Sequence, residues 1–315
     1  MGIDGILNVD KPEGKTSFYV VARLKRLTGE RHVGHAGTLD PIATGVLPVC
    51  LGQATRITQF LSNSSKTYLA QIELGITTDT YDRQGKIVER SDPSQITRPQ
   101  VEEALSSFRG VISQIPPAFS ALKQGGRRCY EMARAGIPLE LKSRRVEITR
   151  LELTDVRLPL MEIEVECSKG TYIRSLAHDI GRQLGCGAHL RNLKRLECGI
   201  FSIRDALSLE QIEDAFHNEA WKTIIYPVDS PLSNWKAIIV SRKNELDIRH
   251  GCPIPTSEND PVSDLYCRAY DADGNFLAIL RFIADKRQWH PVKVFSISEA
   301  VRHDSTALTV HTGTE

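Results

Sequence analysis

The part of the chain that decides the fold and the site is residues 34–48, which read GHAGTLDPIATGVLP. This stretch places one carboxylate, Asp40, among three glycines, two prolines and two threonines. Pro41 biases Asp40 toward an extended backbone, and the glycines permit tight turns and the close approach of another molecule. An isolated Asp-Pro pair most often only begins a turn. A plain turn does not need so many small residues, so the stretch predicts a functional loop that holds Asp40.

Three further segments lie in a fixed order around this loop. They read LNVDKPEG at residues 7–14, KTY at 66–68 and CSKGTYIR at 167–174. Together with the loop they make the chain resemble the TruB-type pseudouridine synthases, strongly over residues 3–230 and more loosely beyond. Four ordered motifs are a far more specific signal than any one of them.

Apolar spacing around the motifs predicts short strands and amphipathic helices. Strands are expected at residues 5–9, 46–51 and 68–74, and helices at 17–29 and 173–184, where apolar residues recur at helical spacing and a glycine follows. No regular alternation of strand and helix is present. The pattern therefore predicts an α+β fold with a mixed, largely antiparallel sheet flanked by helices, as the resemblance also implies.

The chain is expected to divide into two domains. A catalytic domain is predicted over residues 1–230. After it, the sequence pattern predicts short strands, with Asp273-Gly274 as the turn of a hairpin. Residues 235–315 resemble a small, β-rich, PUA-like RNA-binding domain. The alternative for this segment is a stabilising element that does not contact RNA.

The composition indicates a packed protein and predicts its compartment. The 315 residues are 41% hydrophobic and 25% charged, which predicts a packed core and not disorder. No apolar run approaches the roughly 20 residues that span a bilayer, and the N-terminus lacks the features of a signal peptide. The seven cysteines are odd in number and widely spaced. We therefore expect a cytoplasmic protein without contact to a membrane.

A basic segment stands out, although the net charge of the chain is only +1. Residues 123–150 hold eight basic and three acidic side chains. Such a run can be a solvated loop or a surface for phosphates. The resemblance favours the second reading, since the family has an RNA-binding insertion at about residues 115–145 that its guide-RNA-dependent relatives lack.

The resemblance implies a specific reaction and substrate. A uridine in the T loop of tRNA, at position 55, is flipped out and isomerised to pseudouridine. The reaction has no redox step, so no metal and no organic cofactor are expected, and the spacing of His32 and His35 is not sufficient for a metal site. The implied partner is the T-arm stem-loop of tRNA. No obligate protein partner is expected, and the protein is expected to be a monomer.

The reaction needs an ionised carboxylate beside the sugar and base. Asp40 is the predicted catalytic residue, either as a covalent nucleophile or as a general base at the ribose C2′. Desolvation by a flipped base would raise its pKa unless a cation opposes this effect. The resemblance assigns that cation to Arg174, in the first turn of a helix, and Asp82 is a candidate partner of a site arginine.

The resemblance implies five further substrate-binding residues. Tyr68 and Tyr172 would lie against the flipped base, and Leu193 would line the pocket. His35 would fill the gap in the RNA stack. Lys11 would brace the site and a phosphate.

Two other functions remain open at this point. The same motifs would serve a non-catalytic tRNA-folding chaperone or another RNA-binding protein. A nucleoside hydrolase would need a second carboxylate beside Asp40, for which Asp10, Asp79 and Asp82 are the nearest options in sequence.

Overall fold

The computed structural model describes residues 2–120, 122–256 and 265–296, whose strands form two main sheets. Within these residues the helices are α1 Ser17–Thr28, α2 Thr58–Ser62, α3 Arg98–Ser106, α4 Cys129–Arg134, α5 Ile173–Gln183, α6 Leu209–His217 and α7 Arg242–Arg249. The strands are β1 Gly5–Lys11, β2 Val33–His35, β3 Ala43–Leu51, β4 Lys66–Leu74, β5 Ile76–Thr78, β6 Ile87–Arg90, β7 Gly110–Gln114, β8 Lys123–Gln124, β9 Arg127–Arg128, β10 Arg144–Arg157, β11 Leu160–Cys167, β12 Ala188–Cys198, β13 Phe201–Ser202, β14 Ile225–Tyr226, β15 Lys236–Ile239, β16 Ile254–Pro255, β17 Tyr266–Tyr270, β18 Phe276–Ile283 and β19 Gln288–Val294.

The large sheet runs in the order β14-β1-β3-β12-β4-β11-β10-β7, with β2 beside β3 and β13 beside β12. Its pairs are antiparallel except for β3 with β12. The predicted α+β class with a mixed, largely antiparallel sheet is confirmed. The central strand β12, however, was not among the predicted strands.

The predicted amphipathic elements follow their apolar patterns. In β4, buried and partly exposed residues alternate from Tyr68 to Leu74, as expected for a strand with one face in the core. Helix α1 begins after Thr16, whose side chain accepts from the amide of Tyr19, and ends at Gly29 in the left-handed conformation. Helix α5 buries Ile173, Leu176 and other apolar residues, and it packs against β12.

The second sheet, in the order β15-β17-β18-β19-β16, is C-terminal to the first. The predicted Asp273-Gly274 turn joins β17 to β18 as an antiparallel hairpin. An apolar cluster that includes Val46 from β3 and Phe276 from β18 packs the two sheets together. Residues 257–264 and 297–315 of the predicted C-terminal domain lie outside the described residues.

Two simpler expectations concern the membrane and the cysteines. Across residues 2–120, 122–256 and 265–296, the helices are all too short or too polar to cross a membrane. Six of the seven cysteines are buried, and Cys252 is exposed.

Candidate active site

The loop that carries Asp40, between β2 and β3, is fastened to the N-terminal end of α1. The hydroxyl of Ser17 donates to the carbonyl oxygen of Leu39 at 3.1 Å and accepts from the amide of Leu39 at 2.9 Å. The amide of Gly14 donates to the carbonyl oxygen of Pro41 at 2.8 Å. Both neighbours of Asp40 are therefore held by hydrogen bonds, which fix the backbone that presents the carboxylate.

Strand β3 runs so close to β12 that only glycine fits at position 45. Gly45 has a φ of +95°, and an added Cβ would lie 2.2 Å from the carbonyl oxygen of Arg195. The Arg195 side chain donates from Nε to the carbonyl oxygen of Val46 at 2.6 Å and from Nη2 to that of Gly37 at 3.2 Å. Arg195 thus connects both ends of the Asp40 loop to the central strand.

Asp40 forms an ion pair with Arg174, in the first turn of α5. Nε of Arg174 lies 2.9 Å from Oδ2 of Asp40, and Nη2 donates to Oδ1 at 3.2 Å. The same guanidinium lies 3.5 Å from Oδ2 of Asp82, and it donates to the carbonyl oxygens of Thr80 at 3.3 Å and Phe119 at 3.0 Å. Arg174 thus contacts Asp40, as the resemblance implies, and also Asp82, the candidate partner of a site arginine.

Opposing effects set the pKa of Asp40. Its side chain is 35% exposed toward the cleft, whereas that of Arg174 is only 6% exposed. Burial raises the pKa of Asp40, the charge and hydrogen bond of Arg174 oppose this rise, and the nearby carboxylate of Asp82 adds to it. Arg174 therefore favours the ionised form of Asp40, whereas burial and Asp82 favour the protonated form.

The carboxylate opens into a cleft of about 250 Å³ between the Asp40 loop, β4, β12 and the start of α5. Five of the predicted site residues line it: Asp40, Tyr68, Tyr172, Arg174 and Leu193. The other lining residues are Gly37, Thr38, Leu39, Ser62, Lys66, Ser168, Gly170, Thr171, Ile173 and Arg195. This volume lies just below the range of about 300–1,000 Å³ that is usual for small-molecule sites.

Tyr172 is fixed at the wall of the cleft by its backbone. The amide of Tyr172 donates to Oε1 of Gln114 at 2.8 Å, and Nε2 of the buried Gln114 donates back to the carbonyl oxygen of Tyr172 at 3.0 Å. The guanidinium of Arg144 lies 5.3 Å from the centre of the ring. The ring is thus held between a cation and the cleft.

Tyr68 and Leu193 form the opposite wall, on neighbouring strands. Tyr68 on β4 lies directly across from Arg195 on β12, two residues after Leu193. Burial raises the pKa of Tyr68 to about 12, although the charge of Arg195 partly opposes this rise. The phenol is therefore protonated at neutral pH and presents a flat ring and a hydroxyl donor.

Two predicted site residues lie outside the lining of the cleft. His35 ends β2, and burial, with the charge of Arg195 as a smaller cause, lowers its pKa. Lys11 is fully buried, and its Nζ donates to the carbonyl oxygens of Pro12 at 2.8 Å and Lys15 at 2.6 Å. Lys11 therefore braces this turn as expected, but its buried ammonium does not match the expected contact with a phosphate.

The basic insertion, residues 115–145, leaves the edge of the large sheet between β7 and β10 and reaches the cleft. Its carbonyl oxygen at Phe119 accepts from Arg174, and that of Ile115 accepts from Ser175 on α5 at 2.7 Å. Several of its arginines are exposed, namely Arg127, Arg128, Arg134 and Arg145. The insertion therefore contacts α5 at the site through its first residues and carries exposed cations farther along its sequence.

Comparison with known proteins shows which family this chain belongs to. A family model described as TruB family pseudouridylate synthase (N terminal domain) matches residues 25–173, and one described as tRNA pseudouridylate synthase B C-terminal domain matches residues 174–233. A relative from Dehalococcoides mccartyi strain CBDB1, named tRNA pseudouridine synthase B, is 42% identical over 293 residues, which cover 93% of this chain and 97% of that protein. The chain belongs to the TruB family of pseudouridine synthases.

Other TruB-family relatives and solved structures agree. A protein of the same name from Syntrophotalea carbinolica is 52% identical over 211 residues, which cover 67% of this chain and 69% of that protein. The fold resembles a chain in the crystal structure of a Cbf5-Nop10-Gar1 complex, with a TM-score of 0.71 and 25% identity over 93% of this chain and 84% of that chain.

Sequence reasoning missed two cations of this TruB-family site. Arg195 was not singled out, and Lys66 was quoted in a motif without a role. Nζ of Lys66 donates to the carbonyl oxygens of Ser62 at 2.8 Å and Ser64 at 2.5 Å. A signal for Arg195 was available, because residues two apart on a strand share a face and Leu193 was already a site candidate.

Proposed function

We propose that this TruB-family enzyme isomerises the uridine at position 55, in the T loop of tRNA, to pseudouridine, with Asp40 as its catalytic residue and without a cofactor. The names of the relatives from Dehalococcoides mccartyi and Clostridium kluyveri support tRNA as the substrate. The observation that carries the proposal is the ion pair of Asp40 and Arg174 in a cleft that Tyr68 and Tyr172 also line.

The proposed reaction breaks the bond between N1 of uracil and C1′ of the ribose and forms a bond between C5 and C1′. N1 gains a proton and C5 loses one, so the atoms balance without a redox partner. Asp40 acts as a nucleophile in one route and removes the C2′ proton in the other. Both routes need an ionised carboxylate, and the contact with Arg174 favours that state.

The walls of the cleft suit a flipped base. A base that leaves an RNA stack loses its aromatic neighbours, and Tyr68 and Tyr172 offer replacement rings, with Leu193 as an apolar contact. The pKa of about 12 keeps the Tyr68 hydroxyl protonated, so that it acts as a ring and a donor in the resting enzyme. The proposed role of His35 is to fill the gap left in the RNA.

The hydrolase alternative is disfavoured because Asp82, the carboxylate beside the Asp40–Arg174 pair, is already occupied by other contacts. Glycosidases place two carboxyl groups on either side of the bond that they break. Asp82 is buried, and it is already bound by Arg174, by the hydroxyl of Thr80 at 2.7 Å and by the amide of Gln84 at 3.0 Å. A carboxylate held in this way is not free to activate water.

RNA binding is proposed to involve two further parts of the chain. The exposed arginines of the basic insertion would contact phosphates of the T arm. Residues 235–315 would form a PUA-like module, since β15 to β19 make a sheet with an apolar cluster of its own. We propose that a monomer is sufficient, because one chain carries both the cleft and the basic surface.

The test is to incubate the purified chain with an unmodified tRNA transcript and to map pseudouridine by carbodiimide labelling and primer extension. One new stop, immediately 3′ of position 55, is expected, and it should be absent from a transcript with cytidine at that position. A chelator should not change the yield. Release of free uracil would establish the hydrolase instead, and binding without isomerisation would establish the RNA chaperone.

A further inference from the structure

A ring stack lies behind the arginine of the cleft. The ring centres of Tyr81 and His178 are 3.9 Å apart, and their planes differ by 14°. His178 lies one turn after Arg174 on α5, and Tyr81 lies between Thr80 and Asp82. Both of these loop residues contact the Arg174 guanidinium. The stack therefore joins the same two segments that Arg174 joins.

Tyr81 is held in a backbone conformation that tyrosine rarely adopts. Its φ is +62°, in the left-handed region, where a side chain with a Cβ is strained. Its amide donates to the carbonyl oxygen of Thr78 at 3.2 Å, and its carbonyl oxygen accepts from the amide of Leu190 at 2.9 Å. Strain of this kind persists only where the surrounding contacts impose it, and it is concentrated at functional sites.

The imidazole of His178 makes its contact through its face. Within residues 2–120, 122–256 and 265–296, the buried Nδ1 of His178 has no hydrogen-bond partner. Burial lowers the pKa of His178, and the charge of Arg182 lowers it further, so the ring is neutral at neutral pH. Buried polar atoms are normally paired. His178 thus contributes the flat face of its ring to the stack and no hydrogen bond at Nδ1.

We propose that the Tyr81–His178 stack positions the catalytic ion pair. It holds the loop of Thr80 and Asp82 against α5, so that the guanidinium of Arg174 keeps two of its nitrogens on Asp40. Both ring residues lie outside the lining of the cleft, so they are positioning residues and not catalytic ones. The inference rests on the proposed function, in which an ionised Asp40 acts on uridine.

The main test separates the chemical step from RNA binding. His178→Ala should lower the single-turnover rate constant at saturating tRNA by about tenfold to a hundredfold, since a misplacement of about 1 Å can cost about a hundredfold. The Kd for tRNA should not change. His178→Phe keeps a flat ring without the nitrogens and should restore the parental rate.

Variants of Tyr81 distinguish the ring from the backbone strain. Asparagine tolerates a positive φ but has no ring, whereas phenylalanine keeps the ring and the strain. Tyr81→Asn should therefore be as slow as His178→Ala, and Tyr81→Phe should be normal. A matched control is Phe216→Ala, which removes the stack of Phe216 with Trp221, 5.9 Å apart and 13° from parallel. This variant should lose stability without a slower chemical step.

Two measurements test whether the stack affects the rate through the Asp40–Arg174 ion pair. If the stack acts through Asp82, combining His178→Ala with Asp82→Asn should lower the rate by less than the product of the single effects. In the free protein, the pKa of Asp40, followed by the carbon-13 shift of its carboxyl group, should be higher in His178→Ala than in His178→Phe. The charged groups that face Asp40 are Arg174 from α5, Asp82 from the loop after β5 and Lys11 from β1.

The outcomes are distinct for the two proposals. A parent protein that forms no pseudouridine would overturn the proposed function, and the carboxyl titration would still decide the role of the stack. An active parent with a His178→Ala variant of parental rate and unchanged Asp40 pKa would overturn the positioning role alone. Multiplicative effects with Asp82→Asn would also overturn it.

Discussion

The Asp40 loop, residues 34–48, lines the cleft, and the basic insertion, residues 115–145, contacts Arg174 and Tyr172 of its lining. The two regions are built in opposite ways. The loop has one carboxylate, and Ser17, Gly14 and Arg195 bind its backbone. The insertion is rich in charge, and many of its side chains face solvent. Groups that do chemistry must be held within fractions of an ångström, whereas phosphate contacts act through charge at the surface. Under the proposed function, the difference predicts that the loop determines the rate of the chemical step and the insertion determines the affinity for RNA.

Asp40→Asn should have the largest effect, and it should affect the chemical step and not the binding of tRNA. The amide keeps the size of the side chain but can act neither as a nucleophile nor as a base. Single-turnover pseudouridine formation should fall by several orders of magnitude, while the Kd for tRNA changes little. The measurement is carbodiimide mapping beside filter binding. Retention of about a tenth of the parental rate would exclude Asp40 as the catalytic residue.

Arg174→Ala should be the next largest effect, with a fall in rate of about a hundredfold. Burial raises the pKa of Asp40, and Arg174 opposes this rise. Without Arg174 the pKa of Asp40 should therefore increase, so the acidic limb of the rate profile should move to higher pH.

Arg174→Lys keeps the charge but not the planar fork, so it should restore the rate only in part. Single-turnover rates across a pH series check both variants. A loss of tRNA affinity with an unshifted acidic limb would mean that Arg174 holds a phosphate and does not tune Asp40.

A pair of glycine variants compares how the two regions are packed. Gly45 and Gly126 have φ values of +95° and +84°, but an added Cβ would meet the Arg195 backbone at 2.2 Å in the first case and nothing within 4 Å in the second. Gly45→Ala should cost about 3 kcal/mol or more, and Gly126→Ala about 1 kcal/mol, the cost of backbone strain alone. Urea unfolding measures both. Equal losses would show that the Asp40 loop is not packed more tightly than the insertion.

The smallest effect on chemistry is expected from the insertion. Replacing Arg127, Arg128, Arg134 and Arg145 together with Gln should reduce the slope of log Kd against log salt by as much as about three. Arg144 is left in place because it lies over Tyr172. The single-turnover rate at saturating tRNA should stay near the parental value.

The control for this variant is Arg157→Gln, an exposed charge outside the insertion. It should leave the salt slope unchanged. An identical slope for the parent and the fourfold variant would exclude phosphate contacts by these arginines.

Local patterns were sufficient for much of this protein. The loop around Asp40, helix α1 with Gly29 at its end, the alternation in β4 and the Asp273-Gly274 hairpin could each be predicted from a short window. Each depends on neighbours in sequence, on side-chain period or on the φ that a glycine allows. The pairing of Arg174 with Asp40 came from the family resemblance, because no local pattern joins residues so far apart.

The central strand β12 shows why local patterns were not sufficient elsewhere. Its sequence, AHLRNLKRLEC, does not alternate cleanly, and two register shifts interrupt its pairing with β4. Arg195 reads as a surface cation but is 1% exposed. The guanidinium is bound by a carbonyl oxygen from a strand about 150 positions earlier in the chain, so the sequence near Arg195 can indicate its face of the strand but not its partners.

By itself the sequence determined the fold class, the family and five of the residues that line the cleft, because motifs, periodicity and turn chemistry are local properties. Only the tertiary structure decided which backbone oxygens bind the buried cations. Lys11 was expected at a phosphate, yet backbone carbonyl oxygens bind it in the interior. Arg174 connects Asp40 to Asp82, and the Tyr81–His178 stack lies behind it. A buried charge is stable only with partners, and those partners come from distant parts of the chain that meet when the sheet forms.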